Sequence, residues 1–351
     1  MDGLLIVDKP AGPTSHDVVA RVRRALGERR IGHTGTLDPA ATGVLPLVLG
    51  RATRLARFLS ASDKSYEAVV HLGVATDTND AEGTPAGPSY QGLLPSREAI
   101  DRALDAFRGT FLQQPPAYSA KKVDGRRSYD LARETARSKK EGGQLSYTGA
   151  GAPPPARTDA DASPETARHG RRRSPQPVSV TTRTIDIVSV DGDCVTLHVD
   201  CSAGFYVRAL AHDLGEQLGM GGHLFSLRRI RSGDVTLGQA LALDAIEREP
   251  ALGLRAVIPL SRMLPGLPSV TLTSEGVRRA VHGRDIGPAD AQDAVGFAIG
   301  GSGFGGESQS RIPNPESSGG FVRLVNSAGD LVAIATPAGA SGLLHPAVVL
   351  M

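Results

Sequence analysis

Two strand-patterned segments, VSVTTRTIDIVSV (178–190) and CVTLHVDCS (194–202), are joined by the tight turn DGD. So short a connection built on Asp-Gly is a strong hairpin signal, because glycine supplies the positive φ that tight hairpin turns require. The hairpin imposes antiparallel pairing on the middle of the chain. Around it, helical and strand patterns are mixed without regular alternation, which fits an α+β architecture better than a doubly wound parallel sheet.

The flanking segments fill in that architecture. GLLIVDKPAG reads as a buried strand over residues 4–7 that runs into a loop closed by Pro10, Gly12 and Pro13. In TSHDVVARVRRALG, Thr14 or Ser15 caps a helix with Val18, Val22 and Leu26 on one face, and Gly27 ends it. SYEAVVHL alternates, so Tyr66, Ala68, Val70 and Leu72 share one face of a strand. SREAIDRALDAFRG is an amphipathic helix with Ile100, Leu104 and Phe107 inward, and SYDLARETAR and FYVRALAHDLGEQLG predict two more helices.

Two stretches depart from this pattern. Residues 138–177 are rich in Pro, Gly, Ala, Ser and charge and end in the basic run RHGRRRSP, and residues 296–320 are rich in Gly and Ser. Neither buries enough apolar surface to offset its ordering entropy, so both are expected to be flexible inserts. The prolines of LPGLPS mark a boundary, giving domains at 1–264 and 265–351. The second contains a helix in TSEGVRRAVHGRDI, with Arg278, Arg279, His282 and Arg284, and a hairpin in FVRLVNSAGDLVAIATP.

The net charge of +2 means that any nucleic-acid site depends on local clusters of basic residues. Cys194 and Cys201 lie an odd number of positions apart on one strand, so they point to opposite faces and a disulfide between them is not expected. Two cysteines suit a reducing compartment. The apolar run in MDGLLIVDKP is too short for a signal peptide and no segment approaches a membrane span, so a cytoplasmic protein is expected.

The chain has no phosphate-binding G-x-x-x-x-G-K-[S/T] run, no H-E-x-x-H and no paired C-x-x-C, and its nine histidines form no metal-ligand spacing. Cofactor-free side-chain chemistry is the expectation. The best place for it is GHTGTLDPAAT (32–42), where Asp38 precedes Pro39 and is thereby pushed to an extended backbone. Asp38 is either a turn residue bonding nearby amides or a catalytic group presented by a stiffened loop.

Six ordered blocks, GLLIVDKPAGPTSHDVV, RRIGHTGTLDPAATGVLPLVLGRATRL, DKSYEAVVHLGVATDTNDAEG, QQPPAYSAKKVDGRRSYDLAR, CSAGFYVRALAHDLG and HLFSLRRIRSG, cover most of the chain to about residue 237. Together they resemble the tRNA pseudouridine-55 synthases of the TruB family. The C-terminal module is more loosely similar to the PUA-type RNA-binding β-barrel of bacterial members. The resemblance implies the pseudouridine synthase fold, with a mixed, largely antiparallel sheet. It also implies isomerisation of one uridine in the T-loop of tRNA, by cleavage of the N-glycosidic bond and rejoining through carbon 5, with no metal or redox cofactor.

Matched to the family, Asp38 is the nucleophile, attacking either ribose or uracil. Arg208 pairs with it and favours its charged form. Tyr66 stacks on the base and helps to move the carbon-5 proton. A uridine inside a folded loop must be extruded to be reached, and His33 fills the vacated place. Leu227 is a candidate pocket wall, and Asp80 a polar contact to the substrate or a turn stabiliser. Lys9 supports the scaffold, approaches RNA or is solvated. Lys121, Lys122, Arg228, Arg229 and Arg231 are candidates for phosphate contact. The expected partner is tRNA, through its T-loop and T-stem, bound by a monomer. Two other classes compete with this reading: a non-catalytic RNA-binding or tRNA-folding protein that would use the same grooves and the barrel without chemistry, and an N-glycoside hydrolase that would also use Asp38 but release free uracil.

Overall fold

The computed structural model describes residues 1–116, 122–123, 126–127, 176–292, 320–338 and 342–351. In chain order the strands are β1 (Gly3–Lys9), β2 (Ile31–His33), β3 (Thr42–Leu49), β4 (Lys64–Leu72), β5 (Gly109–Gln113), the short pair β6 (Lys122–Val123) and β7 (Arg126–Arg127), then β8 (Val178–Asp191), β9 (Cys194–Cys201) and β10 (Gly222–Ser232). After them come β11 (Val235–Thr236), β12 (Leu241–Ala242), β13 (Ile258–Pro259), β14 (Ser269–Thr271), β15 (Val322–Val325), β16 (Leu331–Pro337) and β17 (Leu344–Val349). The helices used below are α1 (Ser15–Leu26), α2 (Ala56–Ser60), α3 (Arg97–Leu104), α4 (Val207–Gln217), α5 (Leu243–Arg248), α6 (Pro250–Arg255) and α7 (Ser274–Val281).

The chain divides into two units, one of Met1–Tyr66 with Arg228–Met351 and the other of Glu67–Leu227. The unit boundaries fall inside β4 and β10.

In the first unit β1 is flanked by β3 and β12, and β10 lies on the far side of β3. β1 and β3 run antiparallel from Gly3↔Leu49 to Lys9↔Gly43, whereas β10 meets β3 in parallel at Arg228↔Thr42 and Arg229↔Gly43. Leu5, Ile6, Val7, Leu45, Leu47 and Val48 are all buried, so both sheet faces are covered. Such strands read as continuous apolar runs rather than alternating ones. Each of these side chains contributes about 1.5–3 kcal/mol of burial, which makes the pair a stiff frame.

Helix α1 begins where TSHD predicts. Thr14 Oγ1 accepts from Asp17 N at 3.1 Å and the Asp17 carboxylate accepts from Thr14 N at 2.9 Å, a reciprocal capping box. Gly27 ends the helix at φ 64°. Val18, Val19 and Val22 are buried, and Arg21 Nε donates to Glu247 of α5 at 2.7 Å.

The C-terminal residues form a second small sheet, β14-β15-β16-β17, whose β15–β16 hairpin and helix α7 match the sequence-based expectation. The boundary expected at Pro265 falls inside the first unit. Val270, Leu272, Ala280, Ile286 and Leu344 form a cluster lying wholly beyond it. Leu331, Ile334 and Leu350 instead share a cluster with Leu4, Ile6, Val44 and Val48. The small sheet thus packs one of its faces on the β1/β3 frame.

The second unit carries the order β4-β9-β8-β5. β8 and β9 form the expected hairpin, from Thr182↔Cys201 to Asp191↔Cys194, with Gly192 at φ 58° in its turn. Cys194 and Cys201 are not joined by a disulfide. Ile100, Leu104 and Phe107 are buried as expected, although α3 ends at Leu104 and a 3-10 turn carries Phe107. The helix expected at SYDLARETAR and most of both inserts lie outside the described residues. Among the described residues no helix is long and apolar enough to cross a membrane.

In α4, burial pushes the Asp213 carboxyl above its usual pKa, the nearby Glu216 adds to the rise and His212 opposes it. Folding therefore favours the protonated form. That contribution is fully present below the ordinary carboxylate range and is lost as pH rises through the higher folded value. Asp213→Asn is expected to melt above the parent at pH 7, with the gap closing as the pH falls into the ordinary carboxylate range. Equal melting points at pH 7 would count against this.

Candidate active site

Residues 34–41 connect β2 to β3, and buried groups from several elements hold this loop. Lys9, at the end of β1, is 0% exposed, and its Nζ donates to the carbonyls of Ala41 at 2.7 Å, Pro39 at 2.9 Å and Pro10 at 3.0 Å. A buried amine needs hydrogen-bond acceptors to offset its lost hydration, and these carbonyls supply them. Lys9, expected at the RNA, in the scaffold or in solvent, is thus an interior residue that binds the loop backbone.

Ser15, at the start of α1, is also buried. Its Oγ accepts from Leu37 N at 2.9 Å and donates to Leu37 O at 3.1 Å, clamping the residue next to Asp38 from both sides. Gly12 N donates to Pro39 O at 2.9 Å, Thr34 N to Pro46 O at 3.1 Å, and Ala41 N to Asp38 O at 3.1 Å. Because Thr14 takes the capping position, Ser15 is left for the loop. The adjacent Thr-Ser pair was the available signal, since one helix uses only one of them as cap.

Arg229 requires a correction. It was expected to contact phosphate, but it is 1% exposed, with Nε donating to Val44 O at 2.7 Å and Nη2 to Gly35 O at 3.2 Å. Its place in β10 beside Gly43 turns it inward, where its fork joins the Asp38 loop to β3. Arg228, the next residue back, is half-exposed and donates to Asp8 Oδ2 at 2.8 Å and Thr42 Oγ1 at 3.4 Å. Arg231 Nη1 donates to Gly233 O at 3.3 Å, Lys121 is outside the described residues, and Lys122 lies in β6.

Gly43 has φ +100°, and a Cβ there would sit inside van der Waals contact with the Arg229 carbonyl. The close approach of β3 and β10 therefore requires glycine. Gly43→Ala is expected to lower stability by about 1–3 kcal/mol or more, as strained left-handed backbone and overpacking each do. Urea unfolding measures it, and an unchanged midpoint would contradict the close approach.

Asp38 itself is half-buried on this pinned loop. His33, at the end of β2, is half-buried and meets the exposed His16 of α1 edge-on, with ring centroids 5.1 Å apart and planes at 82°. Sequence reasoning did not single out His16. Tyr66 is buried on the inward face of β4 with Ala68 and Val70, and is the last residue of its segment of the first unit.

In the second unit, Arg208 lies in the first turn of α4 and is buried. Its Nη1 donates to Thr78 O at 3.2 Å and Asp80 Oδ2 at 3.3 Å. Asp80 Oδ1 accepts from Thr78 Oγ1 at 2.6 Å and Glu82 N at 3.2 Å. The Asp80 turn is itself fixed to β10, with Leu224 N donating to Asn79 O at 3.0 Å and Ala81 N to Leu224 O at 3.0 Å. Leu227, half-buried in β10, is the last residue of this unit. The structure thus groups Asp38, His33 and Lys9 in one unit, and Arg208 with Asp80 in the other.

Residues 23–145 match the family model described as the N-terminal domain of TruB family pseudouridylate synthase, and residues 208–261 match the tRNA pseudouridylate synthase B C-terminal domain. A protein of Solibacter usitatus called tRNA pseudouridine synthase B is 38% identical, with 100% of each chain covered. The chain belongs to the TruB family. Another relative of that name, from Mycobacterium ulcerans, is 42% identical over 85% of this chain and 89% of its own. Among solved structures, a chain of a Cbf5-Nop10-Gar1 complex superposes with a TM-score of 0.63 at 23% identity, covering 99% of this chain and 85% of that one. A chain of an H/ACA RNP bound to a substrate RNA containing 2'-deoxyuridine gives 0.62 at 22% identity, with 99% and 85% covered. These likenesses assign the pseudouridine synthase fold to this TruB-family chain, and the second small sheet is consistent with a PUA-like module.

Proposed function

We propose that this chain isomerises uridine 55 in the T-loop of tRNA to pseudouridine without a cofactor, with Asp38 as the nucleophile. The observation that carries this reading is a half-buried carboxylate on a loop whose backbone is pinned by the buried Lys9, Ser15 and Arg229. Catalysis by a side chain depends on such positioning, and a rigid frame supplies it before the substrate arrives.

In the proposed reaction the bond from C1′ to N1 breaks, the uracil turns, and a bond from C1′ to C5 forms. The proton leaving C5 is balanced by one gained at N1. Asp38 attacks either the ribose or the uracil, as carboxylates attack sugar carbons in retaining glycosidases. Arg208 supplies the guanidinium of the site in this reading, and the Asp80 carboxylate orients it. Tyr66 stacks on the base and assists proton movement from C5, while Leu227 walls the pocket. His33 fills the place left by the extruded base, which offsets part of the few kcal/mol that unstacking costs.

Residues 1–264 form the catalytic domain in this reading, and 265–351 an RNA-binding module that extends the grip to the T-stem. The protein acts as a monomer in the cytoplasm. Incubation with unmodified tRNA, followed by nucleoside chromatography, tests the chemistry. Pseudouridine confined to the T-loop is expected, free uracil would point to a hydrolase, and unchanged uridine to a binding protein.

A further inference from the structure

His71, Asp193 and Cys194 lie outside the site described above, and two separate stretches of chain supply them. His71 is the next-to-last residue of the alternating strand β4, whereas Asp193 and Cys194 close the β8–β9 hairpin. Leu72 N donates to Asp193 O at 2.8 Å, which locks the end of β4 beside the hairpin turn. His71 Nε2 stands 3.0 Å from Asp193 Oδ2, and Cys194 Sγ 3.5 Å from Asp193 Oδ1. One donor atom from each of the three residues lies within 4.8 Å of the other two.

We propose that these three side chains form a binding site for a divalent cation of the zinc type, with water completing a four-coordinate shell. An imidazole nitrogen, a thiolate sulfur and a carboxylate oxygen are the three donor types that zinc accepts, and hard cations such as magnesium and calcium avoid the sulfur. Asp193 is half-exposed, so an ion has an entry path and room for water. The acidic Asp191 lies close enough to act on Cys194 and adds negative charge around the site.

The ring of His71 is set by its surroundings. It meets His223 edge-on, with centroids 5.0 Å apart, and His223 Nδ1 must donate to the Val74 carbonyl at 2.9 Å. His71 Nδ1 is buried with no hydrogen-bond partner among the described residues, so Nε2 is the ring atom turned towards the other two donors. On binding, the Cys194 proton passes to solvent and the sulfur binds as thiolate. The ion ties the tip of the hairpin to the end of β4, which adds stability to the folded state in proportion to its occupancy.

The test titrates the reduced, metal-stripped full chain with cobalt chloride. The expected result is a thiolate-to-cobalt charge-transfer band that saturates at a single ion per chain and is bleached by zinc chloride. Cys194→Ser is expected to remove the band, and Cys201→Ser to keep it, because Cys201 is buried at the other end of β9. His71→Ala is expected to weaken cobalt binding by at least about tenfold, the lower end of what loss of even an outer-sphere partner costs. A parent chain without the band, or a band that survives Cys194→Ser, overturns the proposal. As a check needing no variant, zinc chloride should protect Cys194 of the parent from iodoacetamide in peptide mass spectra, and unaltered labelling overturns the proposal equally.

Discussion

Asp38→Asn is expected to lower the single-turnover rate of pseudouridine formation in tRNA by at least about 10⁴-fold, the scale on which enzymes lose activity when their nucleophile is removed. The asparagine is nearly isosteric, and it leaves in place the Asp38 backbone carbonyl and the neighbouring residues whose bonds hold the loop. Stability and tRNA affinity should therefore stay close to the parent's. This separates loss of chemistry from loss of fold. Full single-turnover activity in the asparagine variant would remove Asp38 from the mechanism, and a collapse of stability would mean that its side chain supports the loop.

Lys9→Met should act in the opposite order, through structure first. The methionine fills similar volume but leaves the carbonyls of Pro10, Pro39 and Ala41 without their ammonium donor. Leaving buried acceptors unsatisfied is expected to cost about 2–4 kcal/mol, measured by urea unfolding. Displacement of Asp38 by an ångström or so should also slow the chemical step by about 10²-fold, seen as a fall in kcat. Lys9→Arg should not restore either quantity, because a planar fork does not reproduce a point donor to three converging carbonyls. A Lys9→Met chain as stable as the parent would show that the buried ammonium does not hold the loop.

How much was legible in advance differs between the frame and the site. The β8–β9 hairpin, the capped and glycine-terminated α1, and the inward faces of β4 and α3 follow from local periodicity and turn chemistry, which depend on neighbours in sequence. The roles of Lys9 and Arg229 do not. A lysine beside proline and an arginine in an Arg-Arg pair both read as surface charge. What buries them is a set of carbonyls contributed from elsewhere in the chain. Ser15 was half legible, as one of two possible caps, and the structure assigns it to Leu37. His71 with Cys194 is the extreme case, since no local spacing connects a residue at the end of β4 with a hairpin turn formed by distant residues.

The Arg229 contacts also bear on synthesis. The carbonyls of Gly35 and Val44 that this guanidinium satisfies leave the ribosome long before the arginine does. At about 5–20 residues per second, the nascent chain carries that loop for roughly 10–40 s without its closing donor. The loop's support is thus completed late in translation, and a nascent chain released before β10 would present Asp38 on an unfinished support.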